Sequence, residues 1–184
     1  MVIEKRVSLK ELSGIGNVIG FDKFKLEKAV DAVVSEIKEV ICISGRDGTW
    51  MLLGKKYNDE EYTALQVASS NDIYKEIRRD LNLMLPVDEE RDSRFFKSLF
   101  GGEVCKIIDG LDSLGQRYRH MYDNYDEFCV VIVDLDAIKD NEGFETKQYA
   151  EVKFACAYKA KYWNPNNFNQ ERKILEKHEE WVTG

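Results

Sequence analysis

Apolar residues in this chain follow two rhythms, and each rhythm predicts a different kind of element. Helical spacing is clearest in Leu26, Ala29, Val30, Val33 and Ile37, which predict a helix from Asp22 or a neighbour to about Glu39. A second stripe, Ile73, Ile77, Leu81 and Met84, follows Asn71 as a cap and reaches about Leu85, where Pro86 ends it. A third, Val104, Ile108, Leu111, Leu114 and Tyr118, predicts a helix from Glu103 to about Tyr122. Ser8 followed by Glu11 matches a capping box, so a short helix starts near Leu9 and is broken by Gly14, Gly16 and Gly20. A short helix over Asp92–Phe100, stopped by Gly101 and Gly102, and a last one from about Asn167 to Trp181 complete the helical set.

The other rhythm is that of strands. Val40–Ser44 and Thr49–Leu53 flank Gly45-Arg46-Asp47-Gly48, which reads as a hairpin turn. Tyr62–Ala68 is a third strand after the turn Asn58-Asp59-Glu60-Glu61. Phe128–Leu135 is apolar on both faces, as a central strand covered on two sides requires. Tyr149–Trp163 alternates, with Val152, Phe154, Cys156, Tyr158 and Tyr162 on one side and Glu151, Lys153, Lys159 and Lys161 on the other. A polar connection joins these last two runs, so an antiparallel hairpin is the simplest pairing. The expectation is one α+β domain over residues 1–184, with an antiparallel sheet of about five strands (a meander plus a long hairpin) and helices packed on it.

Composition narrows the class. The chain has 184 residues, 43% hydrophobic and 33% charged, which suits one substantial core. It contains no apolar run of the roughly 18 residues a membrane span needs. The N-terminal MVIEKRVSLKEL lacks the apolar stretch of a secretory signal, so a cytoplasmic location is expected. Cys42, Cys105, Cys129 and Cys156 form no CxxC or Cys/His cluster and are expected to be buried free thiols in a reducing compartment, with a disulfide as the alternative.

Charge then changes the picture. Residues 123–145 carry eight acids (Asp123, Asp126, Glu127, Asp134, Asp136, Asp140, Glu142, Glu145) and one base (Lys139), which equals the chain's net charge of -7. The remainder is balanced. A sequence pI near 5.0 argues against direct nucleic-acid binding, which needs Lys and Arg to displace counterions from phosphates. The acidic run is either solvated loop or a surface that mimics phosphate and occupies a basic groove.

Candidate chemistry is sparse. Val130–Asp134 resembles a Walker B strand, but the chain has no GxxxxGK[ST] loop. Gly14-Ile15-Gly16-Asn17-Val18-Ile19-Gly20 is GxGxxxG with no preceding strand, and it predicts a turn. His120 and His178 pair with no Ser or Cys at a recognisable spacing and are expected on the surface. Arg117–Tyr122, with Tyr125, mixes cations and aromatics that could stack bases or grip a protein, or else form a helix terminus.

Asp134 or Asp136 followed by Glu151-Val152-Lys153 resembles the D…ExK signature of restriction-endonuclease-like, metal-dependent nucleases. That resemblance implies Mg²⁺ held by Asp134 and Glu151, with Lys153 beside the attacking water. In size, acidity and lack of an enzymatic motif, the chain resembles the small inhibitors that phages deploy against host nucleases, including anti-CRISPR proteins. This second resemblance implies a protein partner with a basic surface, faced by Asp123, Asp126, Glu127, Asp140, Glu142 and Glu145, and no cofactor. The inhibitor is the preferred expectation and the Mg²⁺ nuclease its rival. A self-associating assembly protein is a third reading.

Overall fold

The computed structural model describes residues 4–40, 47–85, 114–163 and 169–183. Five strands form one sheet: β1 (Arg6–Val7), β2 (Gly16–Asp22), β3 (Gly48–Lys55), β4 (Tyr62–Ser70) and β5 (Glu127–Val133). Their order is β1-β4-β3-β5-β2, and every pairing is antiparallel. The helices are α1 (Leu9–Ser13), α2 (Lys23–Lys28), α3 (Val30–Val40), α4 (Ile73–Met84), α5 (Leu114–Asn124), α6 (Thr146–Ala157), α7 (Asn169–Lys177) and α8 (Glu179–Thr183). The α+β class and the five-stranded antiparallel sheet are as expected. Among the described residues, no helix is long and apolar enough to cross a membrane.

Strand alternation divides the core into two layers. Trp50, Leu52, Leu65, Phe128, Val130 and Ile132 face helices α2 to α5. Met51, Leu53, Val67, Cys129, Val131 and Val133 face α1 and α6. β5 is buried on both faces, as its uninterrupted apolar run requires. Helices α7 and α8 form an outer layer that touches α6 through Tyr149, Val152 and Ile174.

Several local expectations hold. Ser8 and Glu11 form the capping box of α1, and Gly14 closes that helix. The β3–β4 hairpin is present. Of the first meander strand, Val40 instead ends α3, and residues 41–46 lie outside the described residues. The helix expected over Asp92–Phe100 and the start of the next one also lie outside them. Asp72 rather than Asn71 caps α4, accepting from the Lys75 N–H at 3.1 Å. The long helix expected from Asp22 is two helices, because Ala29 is extended (φ -165°). The last helix is also two, interrupted at His178.

Two elements differ in kind. The expected strand Tyr149–Trp163 is helix α6 followed by turns, so the long hairpin with β5 does not form. Apolar residues lie on two sides of this helix because it is sandwiched: Ala155 and Phe154 meet the sheet, while Tyr149 and Val152 meet α7. That double burial mimics alternation, and the helix-forming Ala150, Ala155 and Ala157 settle the choice. Past the helix, Lys161 and Tyr162 do donate backbone N–H groups to the Ala64 and Leu65 carbonyls on the outer edge of β4. The glycine segment expected as a turn is strand β2. A Cβ at Gly16 would sit 1.9 Å from the Ile132 carbonyl oxygen, so glycine there permits a close strand approach.

Candidate functional site

The register fixes which chain ends meet. β5 runs against both β3 and β2, with Ile132 opposite Trp50 and Val133 opposite Gly16. The loop after Val133 therefore lies beside the start of β3 and the end of β4. Glu127 lies at the other end, opposite Lys55 and Asp22. The seven residues of β5 separate the two ends by about 20 Å.

This splits the six expected partner-facing acids into two groups of three. Asp123, Asp126 and Glu127 share the Glu127 end, and each has a basic partner. Asp123 meets Arg119 at 3.6 Å, Asp126 meets Lys23 at 3.6 Å and Glu127 meets Lys55 at 2.9 Å. Asp126 also accepts from the Tyr57 N–H at 3.3 Å.

Asp140, Glu142 and Glu145 lie at the Asp134 end. There, among the described residues, Asp134 and Asp140 accept only local backbone N–H groups, from Asp136 at 3.1 Å and Glu142 at 2.9 Å. Among the described residues, Asp134, Asp136 and Asp140 have no basic side chain in ion-pair reach. Glu142 meets Lys177 at 2.5 Å and the His178 ring at 3.3 Å. Lys147 is buried at this end among Glu145, Asp47 and Asn71, and its backbone carbonyl accepts from the Thr49 hydroxyl at 2.7 Å.

The D…ExK residues are not brought together. Glu151 and Lys153 lie on α6, where positions two apart point about 200° away from each other. Glu151 is buried and Lys153 is exposed. Asp134 stays on the rim and caps the 3-10 turn Leu135–Ala137. Among the described residues, no group of three or more His, Cys, Asp or Glu side chains is placed to hold a metal.

Other candidates are taken up by the interior. Arg117 donates to the Tyr162 carbonyl at 2.9 Å, the Tyr118 hydroxyl donates to Asp80 at 2.7 Å, and Tyr122 bonds Glu27. His120 is exposed, as expected, and bonds the Tyr162 hydroxyl at 2.6 Å. His178, expected on the surface, is buried and stacks on Trp181 with ring centroids 3.9 Å apart. Cys129 and Cys156 are free thiols; burial raises both, that of Cys129 most.

A polar cluster not anticipated from the sequence lies beneath the Asp134 end. Glu151, only 6% exposed, accepts from the Ser69 N–H at 3.0 Å, the Ser69 hydroxyl at 2.6 Å and the Trp163 indole N–H at 3.0 Å. Its other neighbour is Glu171 of α7, 4% exposed, which is hydrogen-bonded to Glu151 and whose Oε2 has no partner among the described residues. Two buried carboxyls in contact cannot both ionise at moderate cost. The donors converge on Glu151, so Glu151 is the carboxylate and Glu171 holds the proton. Burial, and then the Glu151 charge, push Glu171 up to about 8. Burial also raises Glu151, against the pull of its donors.

Glu76 and Asp80 on α4 extend the cluster. Burial and the Asp80 charge push Glu76 up to about 7. Burial raises Asp80 although Arg79 and Tyr118 bond it. One signal was readable. Asp80 sits in the apolar stripe of α4, and Glu151 lies between Ala150 and Val152, both positions where a solvated acid is out of place.

No family model, no curated protein and no solved structure matches this chain.

Proposed function

We propose that this chain works by docking, using the acidic end of its sheet to occupy a basic surface on a nucleic-acid-processing protein. The observation that carries this reading is the charge imbalance at that end. Asp134, Asp136 and Asp140 are exposed without basic partners among the described residues, and Glu145 and Asp47 add to the same rim. A rim of this kind imitates a run of phosphates. It speeds encounter with a cationic groove and orients the bound complex.

The reading is narrower than a patch built from the whole acidic run. Asp123, Asp126 and Glu127 are neutralised at the far end and take no part. The D…ExK alternative has no such support, because the hairpin it requires is absent.

A partner recovered with the tagged chain from its native host provides the assay. Affinity is measured from 50 to 300 mM salt (about a twofold change in screening length), with duplex DNA as competitor. Docking predicts affinity that falls steeply with salt and is competed by DNA. Salt-independent binding that DNA leaves untouched would overturn it.

A further inference from the structure

Helix α7 is attached to the rest of the molecule in two different ways along its length. At its C-terminal end, Lys177 and His178 reach Glu142, Ile174 joins Tyr149 and Val152 in an apolar cluster, and Trp181 packs edge-on against Tyr149 at 5.6 Å. Toward its N-terminal end, the buried attachment among the described residues is the Glu171–Glu151 contact. We infer that α7 is a proton-latched strap: the neutral Glu171 carboxyl holds the N-terminal half of the helix on α6, and loss of that proton releases it.

The surroundings offer the ionised pair little relief. From α6, Glu151 faces Glu171 directly, while Lys147, one turn earlier on the same face as Glu151, is committed to Asp47 and Glu145. Lys153 points to solvent. From β4, Ser69 already donates to Glu151, as does Trp163 from the segment after α6. From α4, the Glu76 charge opposes that of Glu151.

On α7 itself, Arg172 is exposed and pairs with Glu176 at 3.2 Å, and Lys177 is held by Glu142 at the far end. Lys173 is exposed. From the α8 side, His178 carries Glu142 and Glu180, so it brings no free cation. Deprotonation therefore sets two buried carboxylates against each other, and separating the helices is the available relief. The released proton goes to solvent, and the C-terminal anchor keeps the motion local.

Hydrogen exchange of amides 173–177, divided by the intrinsic rate at each pH, reads the opening directly. A latch of one proton predicts protection that falls toward tenfold per pH unit between the ionisation of a solvated glutamate, near 4.5, and that of the latched Glu171, near 8, and levels off above it. Amides in α3 are the internal control and should show no such change.

Glu171→Gln keeps a donor to Glu151 and has no proton to lose, so its amides 173–177 should stay protected through pH 9. Glu151→Gln removes the opposing charge but leaves Glu171 buried, so it should weaken the pH dependence without abolishing it. Protection that is pH-independent in the unmodified chain, or that falls equally in Glu171→Gln, would overturn the latch. If either variant does not fold, the unmodified chain's pH series and the other variant still decide the question.

Discussion

The two ends of β5 carry acids from one stretch of sequence, yet they are different chemical environments. At the Glu127 end each carboxylate meets a cation: Glu127 and Asp126 meet Lys55 from β3 and Lys23 from α2, and Asp123 meets Arg119 one turn earlier on α5. At the Asp134 end acids outnumber the cations Lys139, Lys147 and Lys177, and the exposed Lys139 makes no ion pair among the described residues. Lys147 and Lys177 are committed to other acids, leaving Asp134, Asp136 and Asp140 on the rim. Beneath that rim Glu171 holds a proton against the Glu151 carboxylate. Charge density along a sequence is thus a poor guide to charge density in space, because partners arrive from distant segments. Of the eight acids in this run, five are salt-bridged and three, Asp134, Asp136 and Asp140, form an open anionic edge.

The sharpest way to break this comparison is Glu151→Ala. It strips the acceptor from the Ser69 N–H, the Ser69 hydroxyl, the Trp163 indole and Glu171 together. Leaving buried donors unpaired predicts a loss of about 3 kcal/mol, measured as the urea unfolding midpoint at neutral pH. A loss within ~0.5 kcal/mol would mean the cluster is not held as described.

The next effect is on pH dependence. Folded Glu171 keeps its proton to about 8 and folded Glu76 to about 7, whereas an unfolded glutamate releases it near 4.5. Across that window the folded state binds more protons. Stability is therefore full below pH 4.5 on this account and falls as pH rises toward 8, by about 2 kcal/mol for Glu171 after allowing for relaxation. Glu171→Gln should flatten that decline in a series of unfolding curves from pH 5 to 9. A decline of unchanged slope would remove Glu171 from the account.

At the balanced end the effects are smaller. The Lys55–Glu127 pair is partly shielded, and a double-mutant cycle to Met and Gln should give a coupling of about 0.5–1 kcal/mol. The smallest stability effect belongs to the rim. Asp134→Asn, Asp136→Asn and Asp140→Asn together should leave unfolding free energy within ~0.5 kcal/mol, or raise it slightly by relieving repulsion. A larger loss would give these acids a structural role.

How far the fold could be read from sequence depended on the range of the interactions that set each element. The Ser8–Glu11 box and the β5 run are local or strongly periodic signals, and both appear where expected. The strand β2 was hidden because Gly16 answers to a neighbour, the Ile132 carbonyl, that no local pattern announces. α6 was misread because burial between the sheet and α7 placed apolar residues at both even and odd positions.

The acidic run was visible as composition. Its division into paired and open acids depends on Lys23 and Lys55, which only the folded chain brings near, whereas Arg119 is an i,i+4 neighbour of Asp123. The carboxyl pair was marked at Glu151 by a charge among apolar neighbours. That Glu171 would meet it required the docking of α7.

The most direct test compares two triple variants against the same partner. One is Asp134→Asn/Asp136→Asn/Asp140→Asn and the other is Asp123→Asn/Asp126→Asn/Glu127→Gln. The account predicts that the first weakens binding at least tenfold and flattens its salt dependence, while the second stays within about twofold, since its acids are already screened by their own cations. Equal losses in both variants, or a larger loss in the second, would contradict it.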